Sequence, residues 1–167
     1  MSIRREINQF TRRLDKQVKG SINNRVLKEI GRLATDIIKK RTRNGFGVAQ
    51  PGRNARRLKG LSAGYVAFRK ASSRLNSGLT TPGKSNLTFT GALLDSLRVV
   101  RVDKSRREIN INANNRRRPG GVTNKDVAEF VTDQGRAFLN LSRRETELVA
   151  RRFNRSFRQQ FKSTVRG

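Results

Sequence analysis

The chain has no cysteine, no histidine and no tryptophan, and only one tyrosine and three prolines in 167 residues. Without Cys or His it has no disulfide, thiolate nucleophile, Cys/His zinc site, imidazole base or Ser-His-Asp triad. Acid is scarce as well, with 12 Asp and Glu against 39 Lys and Arg, a formal net charge of +27. The few carboxylates are scattered. Even close neighbours such as Glu145 and Glu147 project to different faces of a helix, so no acid pair for general acid–base work or metal binding stands out. The chain therefore reads as a non-enzyme, with no catalytic residue, cofactor site or metal site expected. No uninterrupted apolar run approaches a membrane span, and Met1-Ser2-Ile3-Arg4-Arg5-Glu6 lacks the apolar core of a secretory signal. Synthesis in the cytoplasm without membrane contact is expected. An Arg-rich start is also seen in organelle transit peptides, but Arg richness here runs through the whole chain.

What is abundant is positive charge, well beyond what solubility requires, and it points to polyanionic surroundings. Leu, Ile, Val and Phe make 43 residues, about a quarter of the chain and just above the fifth below which a highly charged chain stays disordered. A thin core is expected. The length suits one domain over 1–167.

Ile3, Ile7, Phe10, Leu14 and Val18 fall within about 80° of a helical wheel, with Arg5, Arg12, Arg13, Lys16 and Lys19 opposite. This predicts an N-terminal helix over 1–20, projecting or docked on a neighbour. After the break at Gly20-Ser21, a second stripe of Val26, Ile30, Leu33 and Ile37, widened by Leu27, Ala34 and Ile38, predicts a long helix central to the core. Residues 44–60 and 75–86 read as basic or polar loops flanking a modest helix at about 61–73. No Asp or Glu occurs between Asp36 and Asp95, an interval that holds twelve Lys and Arg. That imbalance favours a functional patch over a merely solvated face.

Leu97–Asp103 and Glu108–Ala113 alternate as the arms of a hairpin, Val100 and Val102 against Arg101 and Asp103, with Lys104–Arg107 as its turn. A basic loop, Asn114–Gly121, follows. Asp126–Gln134 fits either a strand or a short helix, with the strand preferred. Ser142-Arg143-Arg144-Glu145 matches the capping box at a helix start, and Val149, Phe153, Phe157 and Phe161 then form an apolar stripe opposite Arg151, Arg155, Arg158, Lys162 and Arg166. The fold class is α+β: an antiparallel sheet packed by the central long helix and the C-terminal amphipathic helix, with the N-terminal helix in addition.

Asn44-Gly45-Phe46-Gly47-Val48 lacks the Lys and the helix of a phosphate loop and reads as a flexible tip. With only Tyr65 beyond core-spaced phenylalanines, no base-stacking platform is evident. Phosphate attraction needs no special spacing. Arg53, Arg56, Arg57 and Lys59, and separately Arg116, Arg117 and Arg118, are the candidate contacts to DNA or to acidic partner surfaces, and solvated decoration is the alternative for each. Thr90 is a plausible N-cap, Leu94 and Leu97 share a helix face, and Gly91 allows a close turn into the sheet.

Leu87-Thr88-Phe89-Thr90-Gly91-Ala92-Leu93-Leu94-Asp95-Ser96-Leu97 resembles the segment of the neck, or tail-completion, proteins of tailed bacteriophages that reads Thr-Gly-x-Leu-x-Asp-Ser-aliphatic. Ile37–Thr42 resembles the end of their long helix, Tyr65–Lys70 their downstream Tyr and Lys segment, and Gly135-Arg136-Ala137-Phe138-Leu139-Asn140-Leu141-Ser142 their Arg-Pro-Phe-Leu entry to the last helix. Ala137 stands where Pro is usual. The resemblance covers about residues 25–160. It implies a structural virion protein, made in the host cytoplasm, that forms a homo-oligomeric ring of six or twelve copies between head and tail. Other neck, portal-proximal or tail proteins, and packaged double-stranded DNA, are the implied partners. The competing expectation is a sequence-nonspecific RNA- or DNA-binding protein such as a ribosome-associated component.

Overall fold

A computed structural model describes residues 24–103, 108–116 and 120–166. The expected helix over 1–20, the hairpin turn 104–107, and Arg117 and Arg118 lie outside the described residues.

The first described element is α1 (Asn24–Arg43); of its expected stripe Val26, Leu27, Ile30, Ala34 and Ile38 are buried, while Leu33 and Ile37 are only half-buried, so the buried face is centred on the widening residues. Lys40, Arg41 and Arg43 in its last turn suit the negative end of the helix dipole. Gly31 marks where α1 meets the hairpin. A Cβ there would lie 2.5 Å from Val99 Cγ2 and 2.8 Å from Ile109 Cγ2, so the sheet packs directly on helix backbone.

Two short strands follow, β1 (Phe46–Gly47) and β2 (Arg56–Arg57), paired antiparallel. Residues 44–48 are therefore not a flexible tip: Gly47 and Val48 are buried, and the Asn140 side-chain amide donates to the carbonyls of Val48 (3.2 Å) and Ala49 (3.1 Å). Next come α2 (Ala63–Ala71), capped by Ser62, and a single helical turn, α3 (Ala92–Asp95). β3 (Leu97–Asp103) and β4 (Glu108–Ala113) form the antiparallel hairpin over the ranges expected. One detail differs: the register slips between Val99 and Arg101, a bulge that turns Val100 to solvent, so Leu97, Val99 and Val102 face inward instead of Val100.

Asn124–Asp133 is a helix, α4, and not the strand preferred from sequence. The reason is its start. Thr123 Oγ1 accepts from the Asp126 amide (3.1 Å) and Asp126 Oδ2 accepts from the Thr123 amide (2.8 Å), a capping box with Asp in the third position. The last element is α5 (Arg143–Arg166). Ser142 and Glu145 form the expected box, the Ser142 amide donating to Glu145 Oε2 at 2.7 Å. α5 packs along α1, where Arg152 pairs with Glu29 (2.7 Å), and its Phe153, Phe157 and Phe161 rings stack with centroids 6.1 and 6.0 Å apart.

The fold is thus mixed α+β, the hairpin covered by α1 and α1 in turn flanked by α5. A core of Ile38, Leu93, Leu94, Leu97, Ala113, Ala128 and Phe138 joins α1, α3, the hairpin, α4 and the segment before α5, with Leu139 half-buried against it. None of the described helices is long and apolar enough to cross a membrane.

Candidate partner-binding groove

Two buried arginines organise the molecule. Arg41, at the end of α1, donates through Nη1 to the Asn140 carbonyl (2.8 Å) and to Glu145 Oε2 (2.6 Å), and through Nη2 to the Phe138 carbonyl. Glu145 also closes the cap of α5, so one carboxylate fixes both the start of that helix and the buried guanidinium. Next to it, Arg136 donates to the carbonyls of Lys59 (3.2 Å) and Gly60 (2.8 Å), stitching the segment before α5 to the chain after β2.

Arg69, on α2, is only 2% exposed. It donates to the Lys84 carbonyl (2.9 Å) and Thr80 Oγ1 (3.2 Å), which orders the loop 75–86, and Thr80 in turn donates to the buried Asn86 Oδ1 (2.9 Å). Its guanidinium carbon lies 5.9 Å from the Tyr65 ring centroid and 5.7 Å from that of Phe89, within cation–π range. Burial pulls the Arg69 guanidinium below the ordinary arginine value, with Tyr65 acting in the opposite direction. It stays charged near neutral pH. Among the described residues no carboxylate is one of its partners.

Arg69 forms part of the wall of an open groove of about 1080 Å³. The floor is apolar: Leu87, Phe89 and Leu93 on one side, Val127, Phe130 and Val131 of α4 on the other. Leu87 holds a left-handed backbone at φ 55°, a conformation that costs a residue with a side chain about 1–2 kcal/mol. Tyr65, Phe68 and Phe89 gather at one end with centroids 5.9–6.4 Å apart. Of its rings Phe68 is 56% and Tyr65 41% exposed, and Phe130, also lining the groove, is 63% exposed. Lys59, Arg74 and Arg136 complete the wall, and among the described residues no Asp or Glu lines it.

The residues singled out from sequence fall in three places. Arg53, Arg56 and Arg57 are exposed on the β1–β2 connection and on β2, while exposed Arg116 lies on a different element, the turn before α4. Lys59 alone of the described members lines the groove. The Thr90–Leu97 motif needs correction at two points. The N-cap of α3 is Gly91, in a left-handed conformation (φ 81°) that favours glycine, while Thr90 Oγ1 accepts weakly from Ala92 N at 3.4 Å. Leu97 begins β3 and so does not share a helix face with Leu94, although both are buried. Asp95 is exposed and pairs with Arg43 (2.8 Å). The groove itself was not anticipated. Its signal was present in Tyr65-x-x-Phe68, two rings three residues apart on a helix with no apolar partner stripe opposite.

Among the described residues no group of three or more Asp and Glu is placed to hold a metal ion. No family model matches the chain, and no curated protein or solved structure matches it.

Proposed function

We propose that this chain is a structural, non-enzymatic virion protein of a tailed bacteriophage, assembling as a ring in the neck to join the DNA-filled head to the tail. The observation that carries the reading is a convergence. The four segments behind the resemblance, 37–42, 65–70, 87–97 and 135–142, are far apart in sequence but bonded to one another. Arg41 of the first binds carbonyls of Phe138 and Asn140 in the last, and Arg43, just beyond the first, pairs with Asp95 of the third. Tyr65 and Arg69 of the second lie on Phe89 of the third. These bonds make the four segments one connected unit, which supports reading them together.

A ring subunit must also be covered on more than one side, with the heterologous contacts repeated around the axis. The thin core, the exposed rings around the groove and the separate basic strand fit that demand. In this reading the β1–β2 cations face packaged DNA or acidic patches of adjoining neck proteins, without base preference. The second reading, a sequence-nonspecific RNA- or DNA-binding protein such as a ribosome-associated component, is favoured by charge alone. Mass measurement of purified particles separates the two. Six or twelve copies per tailed particle support the neck role, and co-sedimentation with ribosomes and absence from particles overturns it.

A further inference from the structure

We propose that the groove between α2, the Leu87–Leu93 segment and α4 is a docking site for an acidic amphipathic segment of a different protein. The inference goes beyond the ring role and does not depend on which assembly the chain joins.

The floor supplies what an apolar helix face or strand needs: Leu87, Leu93, Val127 and Val131 with the exposed Phe130 ring beside them. Apolar area and aromatic anchors of this kind carry most of the affinity in helix-in-groove recognition. The wall supplies the sign of the partner. Lys59, Arg69, Arg74 and Arg136 line it, and among the described residues no carboxylate does. Arg69 is buried with only neutral acceptors and ring faces around it, and its Nε has no acceptor. A carboxylate entering the groove would meet a charge that the protein itself leaves uncompensated.

The other occupants fit less well. A second copy brings a chain of net charge +27, and its own amphipathic segment over 1–20 carries six Lys and Arg against two acids, so cation would meet cation. Nucleic acid would satisfy the wall and could stack on Tyr65, Phe89 and Phe130, but it would leave the aliphatic Leu87, Leu93, Val127 and Val131 without an apolar partner.

The test uses the full chain and a fluorescein-labelled peptide of about five helical turns, roughly 18 residues, with Leu and Phe at i, i+3, i+4 and i+7 and Glu on the other face. Two control peptides carry Lys for Glu, or Ser for Leu and Phe. By anisotropy at physiological salt, the Glu peptide binds at least about tenfold more tightly than either control. Phe130→Ser and Arg74→Glu each weaken it by about tenfold or more. Arg98→Glu, exposed on β3, changes it less than about twofold. Equal binding of the Lys peptide, or insensitivity to Phe130→Ser, overturns the proposal. So does an equal loss in Arg98→Glu, which would assign the effect to bulk charge. Self-association of the free chain that Phe130→Ser abolishes would give the groove to a second copy. Displacement of the Glu peptide by a short single-stranded oligonucleotide whose own binding needs Phe130 would give it to nucleic acid. Either outcome overturns the inference.

Discussion

Arg41 and Arg69 are both buried, both charged and both donors to backbone carbonyls, yet they occupy opposite electrostatic situations. Arg41 has Glu145 within 2.6 Å and sits where α1, the Phe138–Asn140 segment and the α5 cap close on one another. Arg69 has Thr80, a carbonyl and two aromatic faces, and beside it lies an open groove. A buried cation with a carboxylate partner completes a structure; one held by neutral groups keeps attraction to spare for an incoming anion. The same residue type therefore serves closure in one region and recognition in the other.

The comparison is broken most forcefully at Arg41. Arg41→Ala leaves Glu145 and two carbonyls without their donor, and should cost about 3–5 kcal/mol in denaturant unfolding. Arg69→Ala strands only neutral acceptors, and should cost about 1–3 kcal/mol. Its distinguishing effect is local: faster amide exchange over 75–86, with 135–142 unchanged. Equal losses in the two variants would erase the distinction.

A smaller effect sharpens the groove side alone. Thr123→Ala removes the cap of α4 and should cost about 1 kcal/mol, weakening peptide binding at Phe130 while leaving the Arg41 junction intact. The same cap carries a pH dependence. Hydrogen bonds from the Thr123 backbone and side chain hold the Asp126 carboxyl below its ordinary value of 3.8. The stabilisation is therefore fully present above that value and lost as pH falls through the lower folded value. Protection of the Val127 amide, which donates to the Thr123 carbonyl, measured against its intrinsic exchange rate at each pH, should fall in acid, and the fall should vanish in Asp126→Asn.

The smallest effect on stability belongs to the exposed cations. Neutralising Arg53, Arg56, Arg57 and Arg116 should change folding by no more than about 0.5 kcal/mol each, while flattening the salt dependence of DNA binding or blocking attachment of tails to filled heads. If neither DNA affinity nor assembly changes, these residues are solvated decoration.

Much of the frame was legible because it rests on periodicity. The stripe of α1, the hairpin arms and the Ser142–Glu145 box each have a local cause that the sequence displays. α4 was misread because Val127 and Val131 look like strand residues, and the Thr123–Asp126 box, with Asp in place of Glu, is a weaker signal than its Ser142 counterpart. Val99, beside the bulge at Val100, packs on Gly31, a tertiary contact with no local signature. The groove was hidden for a related reason. Tyr65, Phe89 and Phe130 come from three separate elements, and phenylalanine spacing on any one of them looks like ordinary core.

If the groove docks a partner as proposed, it is open in the free chain and covered in the assembly while the Arg41 junction is closed in both, and hydroxyl-radical footprinting reads both at once. The chain is oxidised in isolation and within the particle purified with it, and modification at the groove rings Tyr65 and Phe130 is compared with that at Phe138. The expected result is strong modification of the two groove rings in the free chain, marked protection in the assembly, and no modification of the fully buried Phe138 in either. Equal modification of the groove rings in both states would contradict it.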